Sequence, residues 1–392
     1  MIKQMERMND SVEYRFGPIS AQEHDQFMIG HPKEHFMQHS AWGKVKSAAG
    51  AWHSEQVGLY RDGTLVASSL LLYRKMPIFG GWIYYAPRGF VIDFQDQELL
   101  TQFTVRLREY LKAKKAVYLL VDPDYYYQVT DAHDQIVKEK DDFVQRMTSL
   151  GYVHQGFNMG FEATQPRFTF RLKLQGSLEE ITNRFDRFTK KNLRQCQENQ
   201  IEVYEEDNLE LFFDIMHDTA LRDNFLEYPK SYYETVYHPL KPLGMSNLYF
   251  AKYNPQKHLQ AIQGQLQQAD RDIQAAEEKY QAKPTAKMET QVKQAKEKKE
   301  RFLKMQHTAQ TYLEQYPEGI VLSPGININT PNRGWTVFGG SRPILRELNA
   351  NYGVTYQAIE NFQKHGMEFM DFFGTVGNPE DSSHPIGIHR FK

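Results

Sequence analysis

The chain has 392 residues, 40% of them hydrophobic, with 25 Phe and 23 Tyr, enough apolar material to fill two or three domains. Its formal net charge of −2 excludes a protein that grips polyanions by overall charge, so any nucleic-acid surface must be a local patch. The single cysteine, Cys196, excludes an internal disulfide and a cysteine-cluster metal site, and fits a reducing compartment.

In the first half, Ala21–Gly30 and Ala41–Ala49 read as short helices, with Trp42 and Lys46 four apart on one helical face. Val57–Tyr60 and Leu65–Ala67 flank Arg61-Asp62-Gly63-Thr64, a hairpin with Asp-Gly at its turn. A long strand runs on to Leu72, and another covers Trp82–Tyr85 and ends in Ala86-Pro87-Arg88-Gly89. A helix over Gln95–Lys114, apolar at Leu99, Leu100, Phe103, Leu107 and Leu111, leads to a buried-type strand Ala116–Val121 that stops at Asp122-Pro123. A helix over Phe143–Leu150 ends at Gly151, where glycine supplies the left-handed cap. Hairpin strands, a crossover helix and a strand make a mixed α/β layer, which we assign to a first domain, 1–152.

The second half repeats the plan. Phe168–Leu174 alternates as a strand, and Ser177-x-x-Glu180 is a capping box opening one long helix. Ile181, Phe185, Phe188 and Cys196 share one face of that helix; Arg184, Arg187, Lys190, Lys191 and Arg194 gather on the other, with Asp186 the one acid. A solvated face and a phosphate-contacting surface fit this pattern equally well. A helix at Leu211–Leu221 and a strand at Asn247–Tyr253 follow. Strands Ile320–Leu322 and Trp335–Phe338, helix Thr355–His365 and strand Glu368–Phe373 then echo the first half. The second domain is thus split into 153–254 and 314–392.

Residues 255–313 lie between the two pieces. Leu259, Ile262, Leu266, Ala269, Ile273, Ala276 and Tyr280 alternate at three and four, an a/d seam of period 3.5. Ala282-Lys283-Pro284-Thr285 breaks the helix, since proline suits the first turn of the next one. The return helix carries Met288, Val292, Ala295, Phe302, Ala309 and Tyr312, with Lys299 intruding at one core position. So narrow a stripe suits two helices that hold each other, an antiparallel coiled-coil arm. Periodicity alone favours a spacer or dimerisation hairpin.

Chemistry is less legible. Zinc-ligand spacing, a P-loop and G-x-S-x-G are missing, and Gly339-Gly340 is a lone glycine pair. The basic, glycine-rich loop that binds the acetyl-CoA pyrophosphate is missing from both halves, which counts against ordinary acetyl transfer. Asp122 closes a strand as a base or, more simply, as a turn residue before proline. Lys46 alone reads as a surface lysine. Apolar runs fall short of the roughly 18 residues of a membrane span. The N-terminal MIKQMERMND also lacks the apolar core of a signal peptide, so a soluble cytoplasmic protein is expected.

Several stretches, taken in order, resemble the FemABX family of peptidoglycan-bridge aminoacyltransferases. They are Glu23-His24-Asp25-x-Phe27, Trp42-Gly43-Lys44-Val45-Lys46, Tyr85-Ala86-Pro87-Arg88-Gly89 and Thr164-Gln165-Pro166-Arg167. Lys190-Lys191-x-x-Arg194, and Asp371-Phe372-Phe373-Gly374 through Gly387-x-x-x-Phe391-Lys392, complete the set. The resemblance implies two GNAT-like mixed-sheet domains with a helical hairpin at this place. It implies transfer of an amino acid from aminoacyl-tRNA to the stem-peptide amine of a lipid- or nucleotide-linked peptidoglycan precursor, at the cytoplasmic face of the membrane. Homo- or hetero-oligomers are in keeping with it; a metal or dissociable cofactor is not. The reaction is aminolysis of an activated ester, for which positioning and oxyanion stabilisation suffice.

By the same resemblance Lys392 and Asp122 are the catalytic candidates. Lys46, Trp42, Arg88, Tyr232 and Phe391 fall at substrate-binding positions, Lys46 beside the precursor's phosphate. Tyr228 stands before Pro229 where some relatives have arginine, a departure at a phosphate contact. Arg184, Arg187, Lys190, Lys191 and Arg194 would take the tRNA. Relatives continue past the Phe-Lys pair with a glycine-rich strand, so the chain as given is expected to be weakly active. The alternatives are a CoA-dependent N-acyltransferase, which would turn over acetyl-CoA without tRNA, and a tRNA- or membrane-docking adaptor, which would bind without transferring.

Overall fold

Two mixed sheets with one strand plan carry the chain. The computed structural model describes residues 12–377 apart from 51, 78–79, 134 and 161–163. The first sheet runs β1 (Tyr14–Pro18), β2 (His53–Arg61), β3 (Thr64–Lys75), β4 (Trp82–Ala86) and β5 (Ala116–Val121), neighbours in that order. All pairs are antiparallel except β4 with β5, whose crossover is helix α3 (Gln97–Ala113). Asp62 and Gly63 both take positive φ (51° and 79°), as the tight hairpin turn between β2 and β3 requires. The Asp96 side chain caps α3 by accepting from the Leu99 N–H, and the predicted stripe from Leu99 to Leu111 packs on the sheet. Helices α1 (Ala21–Met28) and α2 (Ser40–Ala48) cover β2 and β3; a small hairpin, β6 (Val129–Thr130) with β7 (Ile136–Lys138), and α4 (Phe143–Ser149) follow β5.

The second sheet has the order β8 (Phe168–Lys173), β13 (Phe369–Thr375), β12 (Arg333–Gly339), β11 (Ile320–Asn329), β10 (Ser246–Tyr253), β9 (Ile201–Glu205). From β9 to β13 it repeats β1 to β5: antiparallel pairs, then one parallel pair, with helix α11 (Ala350–Lys364) as the crossover. Strand β8 adds a sixth member against β13. Helix α7 (Leu209–Asp223) and helix α8 (Lys230–Leu240) lie between β9 and β10. The fold class read from the sequence is thereby met: two mixed sheets and an inserted helical hairpin.

The structure corrects three expectations. Strand β5 is not buried: Val117 and Tyr118 are 53% and 49% exposed, because β5 is the edge of its sheet and its outer side faces a cavity. The capping-box helix is two helices, α5 (Leu178–Asn183) and α6 (Arg187–Glu198). Asp186 accepts from the Thr189 N–H at 2.5 Å and so starts a new helix where the apolar pattern continues the old one. Arg184 turns back to the Lys173 carbonyl (2.6 Å), leaving the basic face, and Phe188 points outward, 58% exposed. Helix α8 itself was not foreseen. Its aromatic and β-branched residues and Pro239 are poor helix formers, yet Tyr233, Val236, Tyr237 and Leu240 make one buried stripe.

The arm is α9 (Pro255–Ala282) and α10 (Ala286–Gln315), rising from the β10–β11 hairpin whose register pairs Tyr253 with Ile320. Ile262, Ala269, Phe302 and Ala309 are buried in the seam, flanked by Leu259, Leu266 and Met305. Lys299 lies at the side of the seam, its ammonium turned out to Asp270 at 2.6 Å. The root is fixed to the sheet. The Tyr253 hydroxyl lies 2.9 Å from His258 Nδ1, and the Tyr312 ring stands edge-on to Tyr253 at 6.0 Å. Burial pushes the His258 imidazole down to about 4, so it stays neutral there.

The two sheets are joined by an apolar seam and a polar clasp. In the seam Phe36, Trp42 and Val45 pack with Val236, Leu240, Met245, Ile328 and Trp335. The clasp is Arg171 on β8, which holds Asp124, beyond β5, at 2.6 Å and Asp371, on β13, at 2.7 Å. Burial alone would raise the Asp124 carboxyl, but Arg171, followed by His35, Arg88 and Lys33, outweighs it and holds it well below the carboxylate range. Replacing Arg171 by Met strands two buried carboxylates and should cost about 3–5 kcal/mol. A depressed carboxyl stabilises above its unfolded value, about pH 4, and loses that contribution as pH falls through its lower folded value. Thermal melts should therefore show the largest gap between wild type and Arg171→Met at neutral pH, closing in acid.

Candidate active site

Lys46 sits in the last turn of α2 with Trp42 one turn before it, so the indole lies under the ammonium at 4.8 Å. Helix α8 of the other half brings Tyr232, its ring 5.3 Å and its hydroxyl 3.4 Å from Nζ. Tyr228, just before the N-cap Pro229, stacks on Tyr232 at 4.3 Å. Four residues assigned by resemblance thus form one cluster across the seam between the sheets. Burial lowers the Lys46 pKa, and among the described residues no carboxylate pairs with it. A half-buried ammonium between aromatic faces, lacking a counter-ion, has the chemistry to take an anionic group.

The second group is Asp122 with Arg88. The Tyr85 hydroxyl donates to Asp122 Oδ2 at 2.8 Å, and the Arg88 backbone N–H donates to Oδ1 at 2.8 Å. Arg88 holds a left-handed backbone (φ 54°) that this second bond supports. Its guanidinium donates through Nη2 to the Pro166 carbonyl at 2.8 Å, while Nε is buried without a partner. Desolvation raises the Asp122 pKa in spite of the Arg88 charge and these hydrogen bonds. Both of its oxygens are engaged, which is the geometry of a group that positions its neighbours.

Arg88 and Asp122 open onto a cavity of about 1840 Å³ between β5, β8 and β13, lined also by Tyr126, Tyr127, Arg167 and Tyr352. Tyr85 connects the two groups, since it packs in the seam with Trp42 and bonds to Asp122. Of the basic residues, Arg184 lines this cavity, as do Asp186 and Thr189 at the start of α6. Arg187, Lys190, Lys191 and Arg194 are exposed on α6; Lys190 reaches the Asn183 carbonyl at 2.7 Å and Arg194 is 4.0 Å from Glu198. Lys392 and Phe391 lie outside the described residues. Among the described residues no group of three or more His, Cys, Asp or Glu could hold a metal ion, and no helix is long and apolar enough to cross a membrane. Sequence reasoning missed Tyr85 as a partner of Asp122 and Arg171 as the clasp. Tyr85 lay within a motif, but its partner is 37 residues away and no local pattern points to it.

Residues 19–392 match the FemAB family model, and the chain belongs to that family. It is 28% identical over 392 residues to a lipid II:glycine glycyltransferase of Staphylococcus haemolyticus (strain JCSC1435), covering 99% of this chain and 89% of the relative. It is 27% identical over 380 residues to the protein of the same name from Staphylococcus aureus, covering 95% and 88%. Among solved structures, FemX superposes with a TM-score of 0.79 at 26% identity, over 96% of this chain and 92% of that one.

Lys46→Met removes a half-buried charge that no carboxylate neutralises among the described residues, so its melting temperature should equal or exceed that of wild type. If Lys46 holds an anionic group of one substrate, losing a charge-assisted contact of about 1.5–3 kcal/mol should raise that substrate's apparent KM by roughly 10–100-fold. The KM of the other substrate should stay unchanged; an equal rise for both would mean a misfolded site.

Proposed function

We propose that the protein is an aminoacyltransferase of peptidoglycan-bridge formation, moving an amino acid from aminoacyl-tRNA to the stem-peptide amine of a lipid-linked precursor. The observation that carries this reading is the Lys46 ammonium, unpaired between Trp42 and Tyr232 at the seam of a FemAB-family chain. The relatives named as lipid II:glycine glycyltransferases support the acceptor class. The amine attacks the aminoacyl ester carbonyl, a C–N bond forms, and the bond to the tRNA 3′-terminal oxygen breaks. The amine's proton ends on the departing hydroxyl. Lys46 takes the precursor's phosphate as a compact point charge, with Trp42, Tyr232 and Tyr228 as its aromatic walls. Arg88 contributes at the cavity mouth. Lys392, with Phe391 beside it, is assigned by the family pattern to the developing oxyanion. The contact is peripheral to the cytoplasmic membrane face.

The tRNA would lie along α6, where Arg187, Lys190, Lys191 and Arg194 face solvent and Arg184 leads into the cavity. The deciding experiment is mass spectrometry of lipid-linked precursor incubated with the protein and a mixed, charged tRNA pool. An added aminoacyl mass is expected; an added acetyl mass from acetyl-CoA without tRNA would overturn the reading. Changing Arg187, Lys191 and Arg194 together to Ser should weaken tRNA binding and lower the slope of log affinity against log salt by about 2–3. Unchanged affinity would make the face merely solvated.

Asp122 is best read as the residue that holds Tyr85 and the Arg88 backbone. Asn can accept from the Arg88 N–H through Oδ1 and donate from Nδ2 to a rotated Tyr85 hydroxyl, so Asp122→Asn should retain most of kcat whereas Asp122→Ala loses about 10-fold or more, the cost of two bonds at ~1 kcal/mol each. Equal and large losses would instead make Asp122 the proton acceptor.

A further inference from the structure

The loop that leads into α8 is apolar where it meets solvent. Over eight residues, Leu221 is 70% exposed, Phe225 43%, Leu226 97% and Tyr228 53%. These side chains are presented by a built turn. Helix α7 ends at Asn224 in the left-handed region (φ 52°), and the Phe225 N–H returns to the Ala220 carbonyl at 3.2 Å. Arg222 reaches the Ser341 carbonyl at 2.6 Å, His217 Nδ1 lies 2.7 Å from Glu227, and Tyr228 stacks on Tyr232. Arg222 and Glu227 fold back onto the body while the apolar side chains project. Leaving so much apolar surface in water is the mark of a docking site.

The acids around this tip each touch a basic side chain. Arg342 holds Asp214 and Asp218, Arg222 holds Asp223, and His217 meets Glu227. Two guanidiniums and one imidazole for four carboxylates leave the tip net negative, so the apolar side chains rather than charge drive its contact with a bilayer. The tip is also continuous with the Lys46 cluster. Tyr228 follows Leu226 by two residues, about 7 Å of chain, and its stacking partner Tyr232 touches Lys46. Tyrosine beside leucine and phenylalanine suits the boundary of a bilayer, where one end of the side chain is apolar and the other wet.

We propose that the 221–228 loop inserts Leu221, Phe225 and Leu226 into the interfacial layer of a phospholipid bilayer, which sets Lys46 at the depth of a lipid-linked acceptor's phosphate. This rests on the reading of the acceptor as lipid-linked. Insertion of three side chains to this depth is a peripheral, reversible attachment.

The test uses the full chain and vesicles of phosphatidylcholine with phosphatidylglycerol. Wild type should sediment with the vesicles, and the triple variant Leu221→Ser, Phe225→Ser, Leu226→Ser should bind at least 10-fold more weakly. In a second variant, Leu226→Trp, the new indole's emission should move to the blue on vesicle addition. Transfer is then assayed with vesicle-embedded precursor and with a water-soluble, lipid-free analogue. The triple variant should lose 10-fold or more on the first and keep the wild-type rate on the second. Vesicle binding equal to wild type, no shift for Leu226→Trp, or equal losses on both acceptors would overturn the proposal. Failure of wild type to transfer to either acceptor would overturn the functional reading alone, the two vesicle measurements still deciding the docking surface.

Discussion

A largely buried guanidinium ties the end of the first sheet to the interior of the second. Arg171 spans Asp124, at the end of the first sheet, and Asp371, inside the second, and is largely withdrawn from water with both. Thr169 adds its hydroxyl to Asp371, and the Lys33 ammonium donates to the Asp124 carbonyl at 2.9 Å. Desolvating three charges is costly, and their attraction offsets it only when every oxygen is matched in good geometry. What the arrangement supplies is placement. It fixes the edge of β5 against β8 and β13, which line the cavity, while the apolar seam packs α2 on α8 and assembles the aromatic walls around Lys46.

The same burial acts in opposite ways on groups a few residues apart. Asp122 and Asp124 flank one proline, yet burial raises the first while Arg171 and neighbouring cations hold the second well below the carboxylate range. Pairs whose environments push their pKa values apart mark out divided roles. Here Asp124 belongs to the clasp, and Asp122 to the strand end that shapes Tyr85 and Arg88. Lysines divide likewise. Lys299 meets Asp270 in the arm and is structural, whereas among the described residues Lys46 meets only rings and a hydroxyl. An unpaired charge is an expensive thing to bury, so its retention at the seam points to a ligand that completes it.

The arm is energetically the most independent part of the chain. Its seam is closed by its own residues, and its root is tied to the body by Tyr253, His258 and Tyr312, by the Tyr312 hydroxyl on Glu347 at 2.6 Å and by Lys257 with Glu202 on β9. The apolar tip at Leu226 is of another kind, four side chains short of any core of their own.

Sequence by itself determined the features whose causes are local. The 3.5-residue seam of the arm, the Asp-Gly turn, the stripe of α3 and the Ser177 capping box each follow from spacing within a few turns or residues. The order of the motifs also identified the family, and with it most of the Lys46 cluster. Tertiary structure decided the rest, because the deciding partner is far along the chain. Lys46 meets Tyr232 across 186 residues, and Arg171 meets Asp371 across 200. Helix α8 exists because its aromatic stripe finds a core, against weak propensity. The basic helix broke at Asp186 because a cap hydrogen bond competed with a pattern that periodicity alone reads as continuous. Strand β5 looks buried in sequence because its residues are apolar, but only the order of strands in the sheet could show that it is an edge facing a cavity.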